Sequence, residues 1–210
     1  MNLLFDLDGT IGDTLPLCIA AFRESIEPLL GRSLSDEDII ATFGPSEEGT
    51  VMALVPDHYD EGMERYLKAY ERMHGMCRQA FDGMPELLRD HKAKGHYVGM
   101  VTGKGPLSTE ITLNKYGLSD VFDVIKTGSL EGPVKDRHFK AIVEETGIPT
   151  TEFLYIGDAP SDITAAHSCG MPIAAAAWAD TADVETLKNL KPDFLFESIE
   201  AFKSYLDSLA

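Results

Sequence analysis

Two aspartates stand two residues apart in Leu3-Leu4-Phe5-Asp6-Leu7-Asp8-Gly9-Thr10, directly after a short apolar run. Residues i and i+2 of an extended segment project to the same side. If the strand geometry continues, Asp6 and Asp8 therefore lean into one small volume at a strand's C-terminal end, where open α/β sheets hold their ligands. Two like charges so placed need a cation, a proton or a division of labour. A nucleophile beside a general acid, with a divalent metal nearby, is such an arrangement. A calcium loop is excluded, because the later ligand spacing and the closing glutamate are absent.

Other strand ends carry chemistry too. Tyr97 to Val101 runs into Thr102-Gly103-Lys104-Gly105-Pro106 and a helix. A hydroxyl, free backbone N–H groups and a helix N-terminus together can cradle a phosphate. Lys104, read as part of that helix's first turn, opposes the macrodipole, a hint that an anion sits there. Phe153 to Ile156 ends in Gly157-Asp158-Ala159-Pro160-Ser161-Asp162, two acids that could supply a metal ligand and a supporting group, or simply cap the helix. Between these segments Lys135 stands at a helix start, a position where a lone lysine is usually just solvated.

The elements that must position these residues can be read from periodicity. Leu15, Cys18, Phe22, Ile26 and Leu29 mark one face of a helix. Ser35-Asp36-Glu37-Asp38 starts a second, running to about Phe43; Glu47 to Leu54 reads as a third, and Tyr59 to Met73 as a longer fourth. No strand is expected between Leu15 and about Gln79. Beyond Gly83, strands alternate with helices opened by Pro85, Pro106 and Pro160 and closed by Gly95, Gly117, Gly147 and Gly170. Strands are expected at Tyr97–Val101, near Val124-Ile125, at Phe153–Ile156, at Ile173–Ala177 and at Phe194–Phe196, with a closing helix through Ile199, Phe202 and Tyr205. That alternation predicts a three-layer, Rossmann-like parallel-sheet core. The first strand must join this sheet. The domains are then a core of residues 1–13 and 81–210 and an inserted all-helical cap of residues 14–80, joined by two linkers that would act as a hinge.

Composition narrows the partners. The chain has 210 residues, 44% of them hydrophobic, and a formal charge of −17. So acidic a surface repels nucleic acid and anionic membrane, and neither is expected as a partner. An anionic substrate must instead meet a local positive feature. Cys18, Cys77 and Cys169 are widely spaced, which fits a reducing compartment. The N-terminal residues do not read as a signal peptide, and no run approaches the roughly 18 apolar residues of a membrane span. A cytoplasmic protein, monomeric or homodimeric, is the expectation. The six histidines show no metal-ligand spacing.

Taken in order, Asp-x-Asp-Gly-Thr, a strand ending in Thr, a Lys, and Gly-Asp-x-x-x-Asp resemble the four motifs of the haloacid-dehalogenase-like hydrolase superfamily. The resemblance spans the whole chain, the helical insert included. It implies that Asp6 is a nucleophile forming an aspartyl-phosphate, and that Asp8 protonates the leaving oxygen and later deprotonates water. It also implies Mg²⁺ held by the Asp6 and Asp158 carboxylates and the Asp8 carbonyl. Thr102, the Gly103 N–H and Lys135 would hold the phosphoryl oxygens, with Thr10 and Asp162 in support.

Two positions depart from the family pattern: Gly103 stands where Asn is frequent, and Asp136 follows Lys135 where Pro is usual. Asp8 argues against carbon–halogen chemistry. Lys68, the only lysine of the insert, sits in the long helix rather than early, against a Schiff-base phosphonatase. The acidic Gly44-Pro45-Ser46-Glu47-Glu48 loop differs from the basic cap of sugar-phosphate mutases. What remains resembles a phosphoglycolate-phosphatase-like monoester hydrolase acting on a small phosphorylated metabolite. The alternatives are a β-phosphoglucomutase-like phosphotransferase and a catalytically silent binding protein on the same fold. A signalling receiver is disfavoured by the Asp8 spacing and the insert.

Overall fold

The computed structural model describes residues 1–209. Its central sheet is parallel throughout, with strands β1 (Asn2–Phe5), β2 (Val98–Val101), β3 (Val124–Lys126), β4 (Phe153–Gly157), β5 (Ile173–Ala176) and β6 (Phe194–Phe196) in the order β3-β2-β1-β4-β5-β6. The order reverses at β1, which pairs with β2 on one side (Leu3 opposite Val98) and with β4 on the other (Leu3 opposite Leu154). Such a reversal leaves a crevice beyond the carboxyl ends of the two central strands.

Strand periodicity sorts the core into two layers. Leu3, Phe5, Met100 and Ile156 face α5 (Met84–Ala93), α6 (Pro106–Tyr116) and α10 (Ile199–Ser208), meeting Leu88, Leu113 and Phe202. Leu4, Val101 and Tyr155 face the opposite way, onto Phe139 and Ile142 of α7 (Lys135–Thr146), Ile163 of α8 (Pro160–Ser168) and Leu187 of α9 (Val184–Asn189). Burial on both faces explains why these strands read as continuous apolar runs.

The segment between β1 and α5 is helical: α1 (Leu15–Leu30), α2 (Asp36–Ile40), α3 (Glu47–Leu54) and α4 (Tyr59–Met73). Leu17, Phe22, Ile26, Val51, Tyr66 and Tyr70 give it a core of its own. It touches the sheet-bearing part through α4 and α6, where the Tyr70 hydroxyl and His74 Nε2 lie 2.7 and 3.2 Å from Thr112 Oγ1. Its polypeptide leaves and returns near one point, since Phe81 N donates to Ile11 O at 2.9 Å.

Three details differ from the periodicity reading. The second helix stops at Ile40 rather than near Phe43, because its carbonyls are taken up by tight turns at Ala41 to Phe43. The strand expected from Tyr97 begins at Val98, since the Tyr97 N–H donates to the Asn2 side chain, not to a neighbouring strand. Helix α9 has no counterpart in that reading: it is six residues long with one buried side chain, Leu187, too short for an amphipathic pattern to register. Among the described residues no helix is long and apolar enough to cross a membrane.

Candidate active site

The carboxyl ends of β1 and β4 bring Asp6 and Asp158 together, and the first turn of α8 adds Asp162. One carboxylate oxygen from each of the three lies within 4.8 Å of the others. Asp6 continues the β1 ladder by donating its N–H to Ile156 O at 2.8 Å, so the sheet itself fixes its backbone. Its Oδ1 accepts from Leu7 N at 2.7 Å, and its Oδ2 pairs with Lys135 Nζ. Lys135 is also paired with Asp162, whose other partners are the Tyr155 hydroxyl at 3.1 Å and Ala159 N at 2.9 Å. Asp162 thus caps α8 and belongs to the carboxylate cluster at once. Asp158 accepts from Thr10 Oγ1 at 3.2 Å, and Gly9, at φ +72°, allows close approach: a Cβ there would run into the Asp158 carboxylate.

This cluster is electrostatically incomplete. Burial pushes the Asp6 carboxyl up to about 6 against the opposing pull of Lys135. Burial, then Asp162 and Asp6, raise Asp158 well above the usual carboxylate range. Lys135 is held above its ordinary value by the two acids it bridges, despite its burial. Three carboxylates around one ammonium leave room for a further positive charge, and a set of hard oxygen donors suits Mg²⁺, Ca²⁺ or Mn²⁺. The donor set therefore fits a divalent cation.

Asp8 lines the same cavity with its carboxylate outside the cluster, whose third member is Asp162. The Asp8 Oδ1 accepts from the Thr14 hydroxyl and lies 3.3 Å from Lys104 Nζ, with 28% of the side chain exposed. Thr102 is buried at the end of β2, its Oγ1 accepting from Lys104 N at 3.2 Å. Gly103 also lines the cavity, and a Cβ on it would meet open space.

Residues whose partnership the sequence did not reveal form a second knot. Lys104 lies two residues before α6 rather than in its first turn. Its buried Nζ is 3.2 Å from Glu47 Oε1, 3.2 Å from Cys18 Sγ and 4.4 Å from the Tyr70 ring centroid. Burial alone would lower its pKa, but the carboxylates of Asp8 and Glu47 push it well above the ordinary value. Burial also drives the Cys18 thiol up to about 12, so it stays protonated. Glu47 further accepts from Gly105 N and the Ser108 hydroxyl, tying α3 to the start of α6. The anion hinted at by Lys104's unfavourable place is thus the pair Asp8 and Glu47. The available signal was an unsatisfied lysine in one segment and an acidic loop in another.

Both knots open onto one cavity of about 730 Å³ between the sheet ends and the helical segment. A family model for haloacid dehalogenase-like hydrolase matches residues 3–176. The chain belongs to that family. Among curated relatives of this hydrolase, the "Putative pyrophosphatase PpaX" of Caldanaerobacter subterraneus subsp. tengcongensis is 31% identical over 200 residues, covering 94% of this chain and 90% of its own. A pyrophosphatase PpaX of Bacillus cereus is 27% identical over 210 residues, covering 99% and 97%. The crystal structure of a "predicted phosphoglycolate phosphatase" from Haemophilus somnus 129pt superposes with a TM-score of 0.80 at 21% identity, over 100% of this chain and 97% of that one. That last likeness shows the shared fold. Haloacid dehalogenase-like hydrolases generally use a divalent metal, in keeping with the acidic cluster described above.

Proposed function

We propose that this hydrolase is a Mg²⁺-dependent phosphatase of small phosphorylated metabolites that works through an aspartyl-phosphate on Asp6. The observation that carries the reading is the meeting of Asp6, Lys135, Asp158 and Asp162 at the floor of a cavity large enough for a small organic molecule. Asp6 and Asp158, with the Asp8 carbonyl, would hold the cation, and Asp162 would hold Lys135 and the α8 start in place. When bound, the ion supplies positive charge that screens the carboxylates from an incoming phosphate and neutralises its oxygens.

The chain's own groups account for the remaining steps. An Asp6 carboxylate oxygen attacks phosphorus while the bond to the leaving oxygen breaks, and Asp8 gives that oxygen its proton. Water then attacks the acyl phosphate, Asp8 takes the water's proton, and cleavage of the bond between phosphorus and the Asp6 oxygen returns the carboxylate. Thr14 and Lys104 hold one oxygen of Asp8, so the proton donor has a fixed place at the cavity wall. The Thr102 hydroxyl, the Gly103 N–H and Lys135 hold phosphoryl oxygens where charge spreads in the transition state. Residues 14–80 act as a cap over a core of residues 1–13 and 81–210. Its two linkers, near Asp13-Thr14 and Ala80-Phe81, let substrate in and close water out.

The names of the curated relatives favour a second substrate for the same chemistry, inorganic pyrophosphate. The acidic chain and its free cysteines fit a cytoplasmic enzyme without nucleic-acid or membrane partners. The test is phosphate release from a generic aryl phosphate with Mg²⁺ and with chelator. Wild-type protein is expected to turn over only with the metal, and Asp6→Asn to fold normally yet show background release. Substantial release by Asp6→Asn contradicts nucleophilic catalysis at that position; a folded wild-type protein inert on every phosphate favours the silent binding protein.

A further inference from the structure

We propose that the cavity is built for an organic phosphomonoester whose leaving group is uncharged and largely apolar, rather than for pyrophosphate or a phosphorylated carboxylic acid. The inference rests on the phosphatase reading and concerns the wall opposite the phosphoryl site. That wall is made by Leu15, Phe22, Phe43, Pro45 and Tyr66 from the helical segment, joined by Val134. Phe22 stacks on Tyr66 with ring centroids 4.2 Å apart, and Phe43 packs on Phe22 at 6.0 Å, forming one aromatic shelf.

The charges around the cavity point the same way. Its lining cations are Lys104 and Lys135, whereas its lining acids are Asp6, Asp8, Glu47, Asp136 and Asp158. Lys135 is engaged by Asp6 and Asp162, beside the place where the phosphoryl group would bind. Lys104 is buried between Asp8 and Glu47, and among the described residues no arginine lines the space. A phosphoryl group finds a divalent cation, Lys135 and backbone amides. A second anion on the leaving group, whether phosphate or carboxylate, finds only a lysine already paired twice, and acids besides. Removing such a group from water without a free counter-charge is unfavourable, whereas an apolar body gains by burial against the shelf. One polar atom of that wall is uncommitted. The Tyr66 hydroxyl is fully buried and has no hydrogen-bond partner among the described residues. The charged groups acting on it are Lys104 and Glu47, which pair with each other, so it suits a neutral oxygen on the substrate rather than a second charge.

The experiment compares steady-state phosphate release, with Mg²⁺, from benzyl phosphate, phosphoglycolate and pyrophosphate. Benzyl phosphate and phosphoglycolate both release alkyl alcohols, so their contrast reports the wall more than the chemistry. The expected result is a kcat/KM for benzyl phosphate about tenfold or more above either anionic competitor. Phe43→Ala should raise KM for benzyl phosphate with little change for phosphoglycolate, and Phe43→Arg should shift preference toward phosphoglycolate. Faster hydrolysis of pyrophosphate or phosphoglycolate overturns this inference while leaving the phosphatase reading intact. Release from none of the three by folded protein overturns this inference, and the phosphatase reading with it if the aryl phosphate is also left intact.

Discussion

Replacing Asp158 with asparagine should stabilise the metal-free protein, although the residue is part of the proposed metal site. Its carboxylate shares a space 4.8 Å across with those of Asp6 and Asp162, and Lys135 is the one ammonium among them. Two unit charges at that separation repel by about 3.5 kcal/mol at an effective dielectric near 20. Asp158 meets two such repulsions and one attraction, so one remains, reduced by partial protonation and relaxation. Asparagine keeps an oxygen to accept from Thr10 Oγ1. The expected gain is about 1–3 kcal/mol, or about 2–12 °C in Tm for a chain this long.

The gain should depend on pH in a defined sense. Asp158 has its folded pKa raised from 3.8, so the stability linked to its protonated form is fully present below that value and is lost as pH rises. The advantage of Asp158→Asn is therefore small near pH 4 and large near pH 8. The assay is thermal unfolding of chelator-treated wild type and variant at both pH values, then again with Mg²⁺. Saturating metal at a hundredfold over Kd adds about 2.7 kcal/mol to the protein that binds it. The wild-type curve should move up on adding Mg²⁺ and the variant's should stay. A variant less stable than wild type without metal, or one that keeps the full Mg²⁺ shift, would refute the electrostatic reasoning.

Three further outcomes follow from the same geometry. Asp8→Asn should slow turnover about 10²–10⁴-fold, the usual contribution of a positioned proton carrier, while metal-induced stabilisation measured by thermal shift persists. Glu47→Ala leaves the buried Lys104 with Asp8 as its one carboxylate among the described residues and orphans Gly105 N. Denaturant unfolding should then show a loss of about 3–5 kcal/mol, with Glu47→Gln losing clearly less. Gly9→Ala places a Cβ in the left-handed region, costing about 1–2 kcal/mol, and displaces Asp158. Its Mg²⁺ affinity, read by titration calorimetry, should fall about 10–100-fold.

Much of this architecture is written in local patterns. Pro106 and Pro160 open helices because a first-turn residue needs no N–H partner, and Gly117 and Gly147 end helices at φ +65° and +68°, where other side chains are strained. The apolar runs at Val98–Val101 and Phe153–Gly157 announce strands buried on both faces. Such signals depend on each residue and its near neighbours, which is why element types survive a reading of the sequence. The same logic fails for α9, whose polar residues leave only Leu187 to show a face.

The amino-acid sequence by itself determined the succession of strands and helices along the chain, α9 excepted, the helical insert, and the set of residues whose chemistry suits phosphoryl transfer, because these follow from periodicity and side-chain type. Tertiary structure alone decided which of them meet. Laying β4 beside β1 joins Asp158 to Asp6, and the position of α7 drops Lys135 between Asp6 and Asp162. Folding α3 against the start of α6 turns an isolated lysine and an acidic loop into the buried Lys104–Glu47 pair. The physical reason is that strand order and helix placement minimise exposed apolar surface across the whole chain, a sum over distant contacts that no short window of residues contains.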